Sequence, residues 1–348
     1  MFAQRLPLYQ QLEENLSTKL LVYITGDRKG LETQIAQDAI DIFIEHLDGI
    51  GSVPKISLYL YTRGGNIAAA WNIINLLRIF CDELQVIVPH KAHSAGTLIS
   101  LGAHSIIMTK QATLGPIDPS INTLLNPPIP GQMGTFPVSV EAVKGYLAFA
   151  REELLIKDDI ALANVLIKLS DTVHPLVLGE VYRSRAQIKM LAEKLLSAQV
   201  DDKDRMSQII EFLCSDSGSH DYTINRREAK DILGLNIIKP DDDLYKLIQL
   251  IYTDIAKELE LGLSADLNAI AQNKQGKIEF RRGLIESINN GSHAFTTLGD
   301  LSLIQVDPTQ TAAQLIKVFE GWKHEPTKNA HISGDSNQST NEAPDSTG

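Results

Sequence analysis

The chain has 348 residues, 43% hydrophobic and 22% charged, with a formal net charge of −11, enough for one large globular domain or two ordinary ones. The acidic balance excludes a general nucleic-acid binder, whose affinity comes from Lys and Arg neutralising phosphates. Runs of about 18 or more apolar residues are absent, which excludes a membrane-spanning helix, and Cys81 and Cys214, the only cysteines, lack the spacing of a disulfide framework or zinc site.

The opening "MFAQRLPLYQQLEENLSTK" lacks the apolar segment of a secretory signal. With two isolated thiols, this sets the expectation of a cytoplasmic protein. Residues 19–24, "KLLVYI", read as a buried strand, followed by the polar turn "TGDRKG" and by helical apolar spacing over 31–47. "KISLYLYT" (55–62) is a second strand that stops at "RGGN", and 67–80 continues as a helix. "LQVIVP" (84–89) and "SIIMTK" (105–110) are further strands, with a helix between them that starts near Ser94. Strands alternating with helices in this way predict crossover units and a largely parallel sheet.

Residues 125–137 hold four prolines and two glycines and predict a loop. Helical segments are expected over 139–155, about 158–197, 204–214, 227–233 and 243–259. "GKIEFRRGLIES" and "SHAFTTLGDLSLIQV" flank an Asn-Gly and predict a hairpin. From Lys323 onward the chain is rich in Ser, Asn, Thr, Asp and Gly with almost nothing apolar, the signature of a disordered tail.

The stretch "HKAHSAGTLISLGA" (90–103) puts a serine where a strand hands over to a helix. Gly64-Gly65, at the end of the preceding strand, allows a sharp turn and leaves main-chain amides free to face an anionic oxygen. If the two corners adjoin, Ser94 meets the amides of Gly65 and Ala95, the arrangement of an oxyanion hole, where one donor is worth about 3 kcal/mol in the transition state. Ala95 and Gly96 would leave the space over the hydroxyl open. The structural alternative is a serine that caps its helix beside small residues that suit tight packing.

The three stretches "LYLYTRGGNIAAAWNI", "VIVPHKAHSAGTLISLGA" and "IIMTKQATLGPIDPS", in that order, resemble the Clp/crotonase superfold, and within it the serine dehydrogenase proteinase family of Clp-fold serine peptidases. "YITGDRKGLETQIAQDAIDIFIEHL", "HPLVLGEVYRSRAQIKMLAEKLL" and "SGSHDYTINRREAKDILGL" are similar to the same family, so the likeness covers roughly 19–238. The resemblance implies Ser94 as nucleophile, with the glycine pair Gly64-Gly65 and Ala95 supplying the oxyanion amides. It also implies Asn66 and Asp118 as substrate-binding residues.

The general base is where the sequence departs from the Clp pattern. The place of the Clp histidine reads "LGPIDPS", with Asp118 and no histidine. Signal peptide peptidase relatives use a lysine beyond this loop, which implies Lys144. Asp221 falls at the position of the Clp triad's acid, with His220 beside it. Both bases stay open, since a base must come within about 3 Å of the hydroxyl. Each has an ordinary alternative: Lys144 as a solvated helix charge, His220 and Asp118 as turn residues. His93 neighbours Ser94 on an extended segment and points the other way, while His90 and Lys91 suit a cleft rim.

Neither HExxH nor GxxxxGK[ST] is present, so no metal or nucleotide cofactor is expected. The expected fold is α/β: a Clp/crotonase-like core of mostly parallel stacked sheets over 1–238, with a helical extension, an α+β section over 239–322 and a tail over 323–348. The expected function is serine-dependent peptide hydrolysis on a peptide or protein substrate by a homo-oligomer. The alternatives are a catalytically degenerate binding scaffold and a crotonase-type acyl-CoA enzyme.

Overall fold

The computed structural model describes residues 1–117, 120–131, 134–216, 222–307 and 310–325. In chain order the elements are α1 (Phe2–Leu16), β1 (Lys19–Thr25), α2 (Ala39–Ile50), β2 (Val53–Tyr61), α3 (Ile67–Phe80), β3 (Cys81–Val88), β4 (Lys91–Ala92), α4 (Ala95–Leu101), β5 (Ser105–Met108) and β6 (Thr113–Leu114). There follow β7 (Ser120–Ile121), β8 (Val138–Ser139), α5 (Val140–Ala148), a π-helical turn (Phe149–Glu153), α6 (Asp159–Ser170), α7 (Pro175–Leu196), α8 (Lys203–Glu211) and a second π-helical turn (Phe212–Asp216). The last part comprises β9 (Ile224–Asn225), α9 (Arg226–Asp231), β10 (Ile237–Ile238), α10 (Asp242–Leu259), α11 (Leu267–Asn273), β11 (Gly276–Ser287), β12 (Gly291–Asp307) and β13 (Gln310–Glu325).

One sheet of eight strands runs β10-β5-β3-β2-β1-β11-β12-β13. Its first five strands are parallel, with Leu21 beside Leu58 and Val86 beside Ile106, as the α/β reading expects. The apolar runs of β1, β2, β3 and β5 are continuous because both sheet faces are covered. Alternation sends Leu21 and Tyr23 to the face packed by Phe43 of α2 and Ile73 of α3, and Leu20, Val22 and Ile24 to the face packed by Leu12 of α1 and Ile251 of α10.

The expected hairpin exists: β11 and β12 pair antiparallel on either side of the Asn-Gly turn. Its strands continue the main sheet, since β11 pairs antiparallel with β1, Val22 opposite Glu286. The segment expected to begin a tail at Lys323 is still strand as far as Glu325, and residues 326–348 lie outside the described residues. The helix expected over 31–47 begins only at Ala39, and the one expected over 158–197 is two helices, because Pro175 starts α7 and forbids its predecessor an α conformation.

No residue of α6 is buried, and Ile160 and Ile167 are 74% and 61% exposed. Among the described residues no single helix is long and apolar enough to cross a membrane, although α6 and α7 together, bent by 104°, have that length and composition.

Fully buried His46 joins α2 to the β11–β12 turn. Its Nδ1 lies 2.7 Å from Ser287 Oγ and its Nε2 3.0 Å from His293 Nδ1, while His293 Nε2 lies 3.2 Å from Glu45. One set of neutral tautomers satisfies the line: Ser287 donates to His46, His46 to His293, and His293 to Glu45. Burial, and then the neighbouring His293 and His324, push the His46 pKa down to about 3. Below the ordinary imidazole range the unfolded chain therefore binds a proton that the folded chain refuses. Stability should fall by about 1–2 kcal/mol between pH 7 and pH 5, a range in which most carboxylates stay ionised. Urea unfolding at the two pH values measures this, and equal slopes for the wild type and His46→Asn would refute it.

Candidate active site

The site lies at the carboxyl ends of β2 and β3, the crevice where open parallel sheets take ligands. Beyond β2 the chain stays paired with the serine's own segment: Thr62 N–H donates to Lys91 O (3.1 Å) and His93 N–H to Thr62 O (3.1 Å). Thr62 is fully buried, and its Oγ1 accepts from Thr25 Oγ1 at 2.7 Å and from the Gly64 amide at 2.9 Å.

Gly64 and Gly65 take φ values of 115° and 145°, which a side chain disfavours. A Cβ on Gly64 would sit 2.8 Å from Ser94 Cβ and 3.3 Å from its Oγ, so this glycine is what the serine packs against. A Cβ on Gly65 would sit 2.3 Å from Ile35 O. Ile35 N–H donates to Gly64 O (2.9 Å) and Asn66 N–H to Ile35 O (2.7 Å). Parallel pairing through the flanking residues turns the N–H of Gly65 itself away from Ile35, and that amide has no acceptor among the described residues. The Gly64 amide is occupied by Thr62, so of the glycine pair Gly65 is the available donor.

Ser94 is half-buried, with φ 51° and ψ −113°. It occupies the N-cap position of α4, yet its side chain makes no capping hydrogen bond. The helix-cap alternative therefore loses its main support, since a capping serine spends its oxygen on the first turn. Ala95 follows as the first helical residue, where an amide has no intrahelical partner. Gly96 does not leave space open as expected. A Cβ there would meet Thr62 Cγ2 at 2.4 Å, so the glycine lets α4 sit directly on the end of β2.

Asn66 caps α3, its side-chain oxygen accepting from Ala69 N–H at 2.8 Å. Lys144 lies on α5 between Glu141 and Glu211, 3.7 Å from each carboxylate and 39% exposed, and among the described residues no hydrogen bond joins it to Ser94. Asp118, His220 and Asp221 lie outside the described residues. The chain on either side of 217–221 is held beside the segment leading to Asp118: Ile117 N–H donates to Leu213 O at 2.8 Å, and Ile224 pairs with Leu114. Thr113–Leu114 in turn pairs with Lys91–Ala92, just before Ser94.

His93 faces Thr113, with Nε2 2.9 Å from its hydroxyl, and packs on Gly115. His90 stacks on Tyr252. Thr97, fully buried, touches Ala92 O and Gly115 O and accepts from the Gly115 amide, tying α4 to the segment before Asp118. Asp27 was missed in the sequence, where "TGDRKG" reads only as a polar turn. Its carboxylate accepts from Lys91, Tyr61 and Gly262. Burial would raise its pKa, but the hydrogen bonds from Lys91 and Tyr61 more than offset this and hold it below the usual carboxylate range. Among the described residues no cluster of three or more His, Cys, Asp or Glu side chains gathers as metal ligands.

The serine hydroxyl is thus not used for capping, and it is set against a double glycine at positive φ, within two of the stretches that carry the resemblance read from the sequence. Residues 44–135 match the model of the ClpP-like SDH-type serine proteinases. That segment contains the glycine pair and Ser94, and the resemblance read from the sequence is borne out. Among curated proteins, the chain is 32% identical over 213 residues to the uncharacterized protein MJ0137 of Methanocaldococcus jannaschii, covering 59% of this chain and 63% of that one. It is 29% identical over 199 residues to the uncharacterized protein MJ1495 of the same organism, covering 56% of each. The match thus spans less than two thirds of either relative.

Similar solved structures include a mutant of the 1510-N membrane-bound stomatin-specific protease (18% identity, TM-score 0.35, 65% of this chain and 83% of that one). Another is ClpP1 from Listeria monocytogenes (16% identity, TM-score 0.35, 68% and 98%).

Proposed function

We propose that the protein is a serine peptidase that works through an acyl-enzyme on Ser94. The observation that carries this reading is the Ser94 corner itself: a non-glycine residue at positive φ, packed against Gly64, whose hydroxyl does not cap its own helix. Strained backbone of this kind persists where the surrounding fold imposes it, and it clusters at active sites. In this reading Ser94 Oγ attacks a peptide carbonyl while the N–H groups of Gly65 and Ala95 take the oxyanion. A base accepts the hydroxyl proton and returns it to the leaving amine. Two candidates for the base stand: His220, with Asp221 beside it, and Lys144. The held flanks at Leu213 and Ile224 support the first. Lys144 must leave its two carboxylates and come within hydrogen-bond reach of the serine hydroxyl before it can act. Asp118 and Asn66 belong to the substrate-binding rim in this reading. The unburied apolar positions of α6 support self-association, and two buried free thiols suit a reducing compartment.

A fluorophosphonate probe tests the reading. The expected result is a single adduct, located on Ser94 by mass spectrometry, and slower labelling in whichever of His220→Ala and Lys144→Ala removes the base. A folded wild-type protein that takes up no probe would sink the peptidase reading and favour a binding scaffold or an acyl-CoA enzyme.

A further inference from the structure

We infer that Asp27 is a positioning residue that holds the nucleophile arm and the oxyanion arm of the Ser94 site in one relative placement; this rests on the reading of Ser94 as nucleophile. The Asp27 side chain is 5% exposed. Its Oδ2 accepts from Lys91 Nζ at 2.7 Å and from the Tyr61 hydroxyl at 2.8 Å, and its Oδ1 accepts from the Gly262 amide at 2.9 Å. The donors come from three separate parts of the chain. Lys91 stands one short step before Ser94, and Tyr61 stands at the same distance before Gly64. Lys91 also lies over the Tyr61 ring, 5.4 Å from its centre.

One carboxylate therefore grips both arms upstream of the atoms that would react. Between these grips and the site, the two arms are joined by the Thr62–Ala92 bridge, with its bonds from Thr62 N–H to Lys91 O and from His93 N–H to Thr62 O. Asp27 also reaches the turn after α10 through Gly262. That turn is held to the 26–36 segment by Lys29 N–H on Leu263 O and Ala265 N–H on Lys29 O. The far end of the same segment places Ile35 against the glycine pair. The C-terminal part of the chain is thus tied to the oxyanion corner through Asp27 and its segment. Asp27 touches neither Ser94 Oγ nor the Gly65 amide, so its effect is on their spacing. Charge-assisted hydrogen bonds are short and directional, and a misplacement of about 1 Å at a reacting pair costs on the order of 100-fold in rate.

The test uses the full chain with Asp27→Asn, Asp27→Ala and, as the mildest change, Tyr61→Phe. Two readouts are taken: amide hydrogen exchange in peptides covering 62–66 and 92–97, and the concentration dependence of fluorophosphonate labelling. In Asp27→Asn, exchange is expected to rise in both segments together. The maximal labelling rate should fall roughly 10- to 100-fold, while the probe concentration for half-maximal rate stays the same. Tyr61→Phe should shift both readouts in the same direction by less. Exchange that rises only around 260–265, or a maximal rate unchanged in Asp27→Asn, would overturn the inference. If the wild type takes no label, the reading of Ser94 fails, and the exchange pattern alone decides whether Asp27 couples the two arms.

Discussion

Ser94→Ala should lose peptide hydrolysis by a factor of about 10⁴ or more while unfolding at the same denaturant concentration as the wild type. The two halves of this expectation come from one observation. A serine that caps its helix costs about 1 kcal/mol when replaced by alanine. Ser94 makes no such bond, so alanine should remove chemistry without removing stability. The companion substitution sharpens the point. Holding a residue with a Cβ at φ 51° costs roughly 1–2 kcal/mol, and glycine releases that strain. The greater freedom of glycine in the unfolded chain takes back about 0.4–1 kcal/mol. Ser94→Gly should therefore be inactive and more stable than the wild type by about 0.5–1 kcal/mol. Urea unfolding of both variants, beside a turnover assay, gives the answer. A Ser94→Ala protein that keeps its turnover and loses a cap's worth of stability would make this serine structural.

The parallel core was legible because strands buried on both faces cannot alternate: "LLVYI", "LYLY" and "VIV" are apolar without a break, and they lie in β1, β2 and β3. The serine corner was legible for a related reason, since double glycine and Ser-Ala-Gly mark places where backbones approach closely. What stayed hidden depends on partners far away in sequence. The run from Leu31 has helical apolar spacing, yet Ile35 is pulled into a bridge with Gly65, and the helix starts only at Ala39. Tertiary pairing overrode local periodicity. α1 was invisible because its buried face includes Arg5 and Tyr9, residues that read as solvated until Glu286 is placed over them. The strand β13 was missed because most of its positions are exposed on an edge, which leaves no apolar alternation to read. Asp27 illustrates the same limit at the site: an aspartate in a polar turn becomes the meeting point of β2, β4 and the turn after α10 only once the fold has brought Tyr61, Lys91 and Gly262 to it.

The second large effect concerns that hidden helix. Arg5 and Glu286 are both fully buried, joined by Nε at 3.0 Å and Nη2 at 2.5 Å. Glu286 also accepts from the Tyr9 hydroxyl and, at 2.8 Å, from Ser292 Oγ, so its carboxylate is well supplied with donors. Arg5 Nη1 reaches Asp254 and Glu258 on α10, each at 2.6 Å. Bringing such charges out of water is costly, and a buried pair of this kind is weak evidence for net stabilisation over an apolar replacement. Breaking it is a different matter. Glu286→Ala leaves a buried guanidinium with only its α10 partners and strips Tyr9 of its acceptor, and should destabilise the fold by about 3–5 kcal/mol. Ser292→Ala, which removes one donor from a carboxylate that keeps three, should cost about 1 kcal/mol. Because Glu286 lies on β11 directly opposite Val22 of β1, the loss is felt where the C-terminal strands join the parallel core. Denaturant unfolding of the two variants measures the difference, and hydrogen exchange over 2–16 and 276–287 locates it. A Glu286→Ala protein within about 1 kcal/mol of the wild type would mean that apolar contacts of α1 with the sheet, rather than this charge cluster, hold the helix in place.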